Sequence, residues 1–324
     1  MTWFITPREL RQLGIVGMNE RNARMISRLN PRKQYPLVDD KLLTKELALK
    51  AGIAVPALYG VVETNHDVRR LPQIIADRED FVIKPAHGSG GKGILVITGR
   101  MGKRFRKVSG LLEDEEGLGH HVSNILSGMY SLGGQPDKAM IEYRVKFDPL
   151  FTNVSFQGVP DIRTVVYRGY PVMAMVRLPT RTSDGKANLH QGAVGAGIDI
   201  TTGLTGHGVW HNDIIEHHPD TGAEISGIAI PGWDRLLELA AGCYELTGLG
   251  YLGVDVVLDH DRGPLILELN ARPGLAIQIA NGAGLNARID LIEAGQPKKP
   301  LSPAERTAYV QALMDAERHG QSLS

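Results

Sequence analysis

The chain has 324 residues, enough for two or three domains with sizeable cores. Lysine plus arginine and aspartate plus glutamate both total 36, a balance that argues against nucleic acid as a partner. A single cysteine, Cys243, excludes a disulfide framework and fits a reducing cytoplasm, and no apolar run reaches membrane-spanning length, so membrane insertion is not expected.

The opening "MTWFITPREL" lacks a basic region followed by an apolar stretch, which agrees with a cytoplasmic protein. Residues 1–35 read as one or two helices with polar breaks. From Asp39 to Gly52 the pattern is an amphipathic helix, capped by Asp39 or Asp40, with Leu42, Leu43, Leu47 and Leu49 as its apolar face. "IAVPALYGVVE" enters a strand, a helix follows around 69–77, and 81–97 reads as a β-hairpin with a glycine-rich tip. Residues 100–138 are polar, with a basic piece "GKRFRKVSG" and an acidic piece "LLEDEEGLG", and read as solvated loop and helix. Strands dominate from 139 onward: "AMIEYRV", "PDIRTVVYRGYPVMAMVRLPT", "GVDVVLD" and "PLILELN", with a helix at 232–247 and another in the tail after Gln296.

The hairpin "FVIKPAHGSGGKGILVI" raises a phosphate question. A Walker A loop fails, because Ala86 stands where its first glycine belongs, Gly93 replaces the hydroxyl residue after Lys92, and a strand follows instead of a helix. A dinucleotide fingerprint fails because it too must open a helix. A glycine flap remains: Gly88, Ser89, Gly90, Gly91, Lys92 and Gly93 can lay backbone N–H groups across polyphosphate oxygens, with Lys84 aimed at the same charge. An ordinary mobile hairpin with a solvated lysine is the plainer alternative.

In "GVDVVLDHDRGPLILELNARPG", a turn centred on Asp261-Arg262 sets Asp255 opposite Glu268, with Asn270 one step along the same face. Two carboxylates and an amide oxygen among valines and leucines form an all-oxygen donor set that suits Mg²⁺, with Mn²⁺ as an alternative. The competing account is salt bridging to arginines such as Arg272. Between flap and acids, counting about a turn at Gly169-Tyr170 brings Arg163 and Arg177 roughly opposite each other, suited to holding phosphoryl oxygens or a carboxylate. "KANLHQGAVGAG", 186–197, is a second glycine-rich loop, where Asn188 offers an amide ligand and Lys186 a phosphate contact; His190 is not assigned as a general base.

The ordered set Lys41 in "DDKLLTKELALKAGIAVP", "VIKP", "GSGGKGI", "IEYRV", "DIR", "MVRLP", "KANLHQGAV", "GVDVV" and "LELNARPGL" resembles the ATP-grasp superfamily over roughly residues 36–290. It is most similar to the alpha-L-glutamate ligases that modify ribosomal protein S6, and to their relatives. The resemblance implies an α+β ATP-grasp fold: two α+β subdomains clamping ATP, behind a shortened N-terminal region. It implies that Lys41 and Lys84 contact phosphates, that Glu142 and Tyr143 meet adenine, that Asp161 lies on the ribose side, and that Lys186, Ala187 and Asn188 touch the nucleotide. It matches Asp255, Glu268 and Asn270 to the magnesium ligands. The boundaries expected are a helical region at 1–38, subdomains at 39–140 and 141–295, and a helical tail at 296–324. Two departures stand out: only about 40 residues precede Lys41, and "NARPG" replaces an "NxSPG" ending, making Arg272 a candidate for binding a carboxylate or phosphate.

The implied activity is ATP-dependent amide formation through an acyl phosphate. A carboxylate and an amine, such as glutamate and a peptide, protein or small acceptor, are the substrates, and a homo-oligomer is compatible with it. The alternative is a non-catalytic ATP-binding regulatory module.

Overall fold

The computed structural model describes residues 6–88, 91–295, 297 and 299–319. It divides into two compact units, one made of residues 39–46 and 55–146, the other of 1–38, 47–54 and 147–324. Among the described residues, no helix is long and apolar enough to cross a membrane.

The smaller unit is built on a six-stranded antiparallel sheet: β1 (Leu58–Val62), β2 (Phe81–Pro85), β3 (Leu95–Met101), β4 (Arg104–Lys107), β5 (Leu112–Glu113) and β6 (Ala139–Glu142), in the order β1-β6-β2-β3-β4-β5. The expected hairpin is present, with Phe81 opposite Ile97 and Ile83 opposite Leu95. Of the segment expected to be solvated loop and helix, the helix is present, but the loop is in part a strand and both pieces feed the core. Its basic piece is β4, whose Phe105 is fully buried and packs edge-to-face on Phe81 at 5.7 Å. Arg104, Phe105 and Arg106 alternate out, in, out, a strand pattern only three residues long and hidden under the charge. The acidic piece opens the helix Glu115–Leu126, with Asp114 accepting from the Gly117 N–H. Leu118, Val122, Ile125 and Leu126 recur at helical spacing and close the core over β2, β3 and β4. The helix expected around 69–77 shrinks to a 3₁₀ turn, Asp67–Arg70, and one α-turn, Leu71–Ile74.

The larger unit holds a seven-stranded antiparallel sheet: β7 (Asp161–Tyr167), β8 (Tyr170–Leu178), β9 (Val194–Ile198), β10 (Thr205–Trp210), β11 (Asp213–Ile215), β12 (Tyr251–Asp259) and β13 (Gly263–Asn270). Its order is β11-β10-β9-β8-β7-β12-β13. Every residue of β8 and β12 is buried, which accounts for their unbroken apolar runs. The helices Trp233–Thr247 and Pro303–Arg318 pack on each other and on this sheet. Strands β9 to β11 were not expected. The supposed glycine loop "GAVGAG" is largely β9, and Gly197 serves close packing: a Cβ there would stand 2.6 Å from the Ala280 carbonyl oxygen and 2.8 Å from Asn281 Cα. The described residues before Pro36 are short helical segments that belong to this unit.

Two registers decide where the polar residues fall. The β7–β8 turn is Arg168-Gly169, both in the left-handed region, joining Tyr167 to its partner Tyr170. That centre lies one residue earlier than expected, and a bulge between Val165 and Val166 then shifts the ladder again. Pro171, paired with Val166, has no N–H to donate, which suits the irregularity. Asp161 therefore faces Arg177, while Arg163 faces Met175 two residues along. On β12–β13, Asp255 does face Glu268, and Gly253 faces Asn270. The expected pairing is reached by another route: beside the turn the ladder runs one residue short, and a bulge between Asp255 and Val256 restores it.

Candidate functional site

Each unit carries its own polar cluster. In the smaller unit, Lys84 is the fourth residue of β2 and Glu142 the last of β6, and both are buried, at 6% and 3% exposure. Lys84 Nζ lies 2.5 Å from Glu142 Oε1. A third member, Lys45, was not anticipated: its Nζ lies 2.8 Å from Glu142 Oε2 and donates to the Pro56 carbonyl at 2.5 Å. Two ammonium groups thus share one carboxylate in a buried place, leaving a net positive charge. Burial raises the Glu142 carboxyl, but the charges of Lys84 and Lys45 outweigh it and hold the group below the ordinary glutamate range. Burial is also the first cause that lowers Lys45; Lys84 adds to it, and Glu142 opposes both.

Lys41 begins the helix Lys41–Lys50, whose Leu42 and Leu43 N–H groups are capped by Asp40 Oδ1. Its Nζ donates to the Gly88 carbonyl at 2.6 Å, tying the helix start to the root of the glycine loop. On this helix Leu42, Lys45 and Ala48 are buried, whereas Leu49 is 52% exposed, so Leu49 leaves the expected apolar face and Lys45 joins it. His87 sits at the same root, with Nδ1 2.8 Å from Asp137 Oδ1 and Nε2 3.5 Å from Asp40 Oδ2. Gly91 and Gly93 adopt left-handed backbone around Lys92, and the Gly93 carbonyl is 3.0 Å from His121 Nε2. Ser89 and Gly90 lie outside the described residues. Tyr143, which the resemblance places beside adenine together with Glu142, donates its N–H to the Ala57 carbonyl at 2.8 Å.

In the larger unit, cross-strand pairing aligns four charges into one chain, Asp161–Arg177–Asp255–Arg163. Arg177 Nε and Nη2 each lie 2.5 Å from an Asp161 oxygen, and Nη2 also reaches Asp255 Oδ2 at 2.8 Å. Arg163 grips Asp255 bidentately, at 2.7 Å and 2.5 Å. Burial pushes Asp161 up to about 6; Arg177 opposes this and the nearby Asp255 charge reinforces it. Asp255 is also buried, yet two guanidiniums outweigh that and lower its carboxyl. Asp255 thus has ion-pair partners of the kind the competing account describes, though they are Arg163 and Arg177 in place of Arg272. Arg272 instead lies 4.9 Å over the Tyr35 ring.

Glu268 is half-buried opposite Asp255, and Asn270 Oδ1 accepts from the Arg272 N–H at 2.8 Å. Among the described residues, no group of three or more histidine, cysteine, aspartate or glutamate side chains is placed to hold a metal. The candidate donor set has an amide as its third member. Asp255 Oδ1 accepts one hydrogen bond and Oδ2 two, so Oδ1 keeps a lone pair for a cation. Lys186 and Asn188 bond within their own turn: Lys186 Nζ lies 3.6 Å from Asp184, and Asn188 Oδ1 accepts from the His190 N–H. Ala187 sits between them, half-buried.

A family model described as "sugar-transfer associated ATP-grasp" matches residues 20–294, most of the chain. The chain belongs to that family. Among curated relatives of this ATP-grasp chain are two probable alpha-L-glutamate ligases. The one from Enterobacter sp. (strain 638) is 24% identical, covering 85% of this chain and 66% of its own length. That from Maridesulfovibrio salexigens is 24% identical, covering 89% and 68%. The chain thus spans about two thirds of the length of these relatives. A solved D-alanine-D-alanine ligase from Coxiella burnetii is similar at 14% identity and a TM-score of 0.43, covering 88% of this chain and 63% of that one.

Proposed function

We propose that this ATP-grasp protein is an ATP-dependent carboxylate–amine ligase. The observation that carries the reading is the buried Lys84–Glu142–Lys45 group, whose surplus positive charge lies in the same unit as a glycine loop rooted on Lys41. A phosphate chain is the ligand that such a charge and such a backbone suit. In the proposed reaction a substrate carboxylate oxygen attacks the γ-phosphorus of ATP, giving an acyl phosphate and ADP. An amine then attacks the acyl carbon, inorganic phosphate leaves with the C–O pair, the amine gives up a proton, and an amide remains.

Positioning and charge neutralisation are what this chemistry asks of the protein. Lys41, Lys84 and the loop residues Gly88, Ser89, Gly90, Gly91, Lys92 and Gly93 hold phosphates in this scheme; Glu142, Tyr143, Asp161, Lys186, Ala187 and Asn188 serve the nucleoside side. Asp255, Glu268 and Asn270 are hard oxygen donors that fit Mg²⁺, or Mn²⁺ in its place, which when bound would neutralise phosphate charge. Arg163 and Arg177 are assigned to the transferring group. They hold Asp255 and Asp161 in the structure, so the assignment requires one guanidinium face to turn toward substrate. Glutamate is the amino acid suggested by the curated relatives, and the family's description makes amino sugars and sugar-linked carboxylates further acceptors to try.

A second reading, an ATP-binding module without chemistry, draws on that same engagement of both arginines. Thermal-shift titration with Mg·ATP, followed by ADP release over amino acids, acidic peptides and amino sugars, separates the two. Turnover with some carboxylate–amine pair, lost in Glu268→Ala, supports the ligase. Binding with no turnover on any pair supports the module, and an undiminished Glu268→Ala rate overturns the metal assignment.

A further inference from the structure

The basic first part of the segment that reads as solvated loop and helix becomes the outer edge of the smaller unit's sheet, and its surface is unusual. Residues 100–112 contain Arg100, Lys103, Arg104, Arg106 and Lys107 and no acid. The same stretch exposes four large apolar side chains: Met101 at 58%, Val108 at 51%, Leu111 at 64% and Leu112 at 39%. Met101 stands at the β3–β4 turn, Val108 and Leu111 at the β4–β5 turn, and Leu112 on the edge strand itself. The side chains of Lys103, Arg104 and Arg106 form no ion pair or hydrogen bond with the described residues, whereas Lys107 is paired with Glu113 at 2.7 Å and Arg100 donates to the Ala76 carbonyl.

Charge on an edge strand is by itself a common guard against aggregation. That guard does not explain leucine, valine and methionine set among the cations, where they add the adhesive surface a guard would remove. We propose that the β4–β5 edge docks this protein on an anionic lipid surface. The turn side chains enter the headgroup layer, while the long arms of Lys103, Arg104 and Arg106 reach lipid phosphates.

Charge complementarity selects this occupant, and the details disfavour others. An acidic peptide adding a strand would find only Leu112 and Glu113 as β5, too short for a ladder. A single-stranded nucleic acid needs exposed rings to stack on, and the one aromatic residue of the stretch, Phe105, is fully buried. Acids stand close to this stretch: Glu113, held by Lys107; Asp114, Glu115 and Glu116, at the start of the following helix; and Asp77, next to the Ala76 carbonyl that Arg100 reaches.

The test is sedimentation of the full chain with vesicles of phosphatidylcholine alone, and with about one third phosphatidylglycerol, at low and physiological salt. The expected result is binding to the anionic vesicles only, weakened by salt. Replacing Lys103, Arg104 and Arg106 together by glutamine should weaken it about a hundredfold. Met101→Ser with Leu111→Ser should weaken it about tenfold. All these residues are exposed, so both variants should melt as the unaltered chain does, which keeps loss of binding separate from loss of fold. Equal binding to both vesicle types, binding to neither, or variants that bind undiminished would overturn the proposal. So would capture of a polyglutamate peptide that survives Met101→Ser with Leu111→Ser, which would assign the edge to an acidic protein.

Discussion

Lys45 occupies a helix position that spacing gives to the core, three residues from both Leu42 and Ala48, and its charge is carried inward to Glu142. A buried carboxylate between two ammonium groups holds like charges apart, so its removal leaves both uncompensated. Glu142→Gln should therefore cost about 3–5 kcal/mol at neutral pH, read by urea denaturation. The pH dependence follows from the lowered Glu142 carboxyl. Its stabilisation is present above the ordinary value of 4.5 and is lost as pH falls through the lower folded value. The gap between Glu142→Gln and the unaltered chain should accordingly narrow as pH falls below 4.5; a constant gap would show that Glu142 is not ionised in the fold. Lys84 was legible in the sequence because a lysine inside "FVIKP" stands out among strand formers. Lys45 was not, because a lysine on a helix reads as solvated unless its position on the apolar face is weighed above its charge.

At the scale of elements, the long apolar runs of β8 and β12, with Asp255 set inside the second, were readable, because burial on both faces leaves a continuous signature. What escaped was short or glycine-rich. β4 shows one inward side chain, Phe105, between arginines, and β9 reads as a flexible loop because its glycines make room for a helix that lies far away in sequence. The Arg163–Arg177 register was misplaced for a local reason, since a one-residue error at a turn and a bulge beside Pro171 both act on it. The glycine explanation can be tested. The atoms nearest a Cβ at Gly197 are the Ala280 carbonyl oxygen and Asn281 Cα, both backbone, which move less readily than a side-chain tip. Gly197→Ala should destabilise the larger unit by about 1–3 kcal/mol, read as a lowered denaturation midpoint. Gly102→Ala, at a turn with open space around it, should cost only its backbone strain. Equal effects would mean that β9 does not need the close approach.

Across the whole molecule, the N-terminal segment is fastened to the larger unit through a buried amide. Asn30 is 2% exposed; its Nδ2 donates to the Tyr251 and Ala271 carbonyls at 2.7 and 2.8 Å, and its Oδ1 accepts from the Tyr251 N–H at 2.9 Å. Tyr251 starts β12, and Ala271 follows Asn270 at the end of β13, so one side chain from residue 30 clamps the two strands that carry Asp255, Glu268 and Asn270. Asn30→Ala strands three buried backbone groups at once and should cost about 3 kcal/mol. Hydrogen exchange should show where that cost falls: the Tyr251 amide and the ends of β12 and β13 lose protection, while strands β2 and β6 of the other unit keep theirs, because the units have separate cores. If Asp255, Glu268 and Asn270 hold the metal of a nucleotide complex, the same substitution should also reduce the thermal shift given by Mg·ATP, since a frayed strand end holds its donors less rigidly. Loss of protection with an unchanged Mg·ATP shift would keep the structural clamp and move the metal elsewhere. Unchanged exchange at Tyr251 would show instead that the N-terminal segment is not held by Asn30.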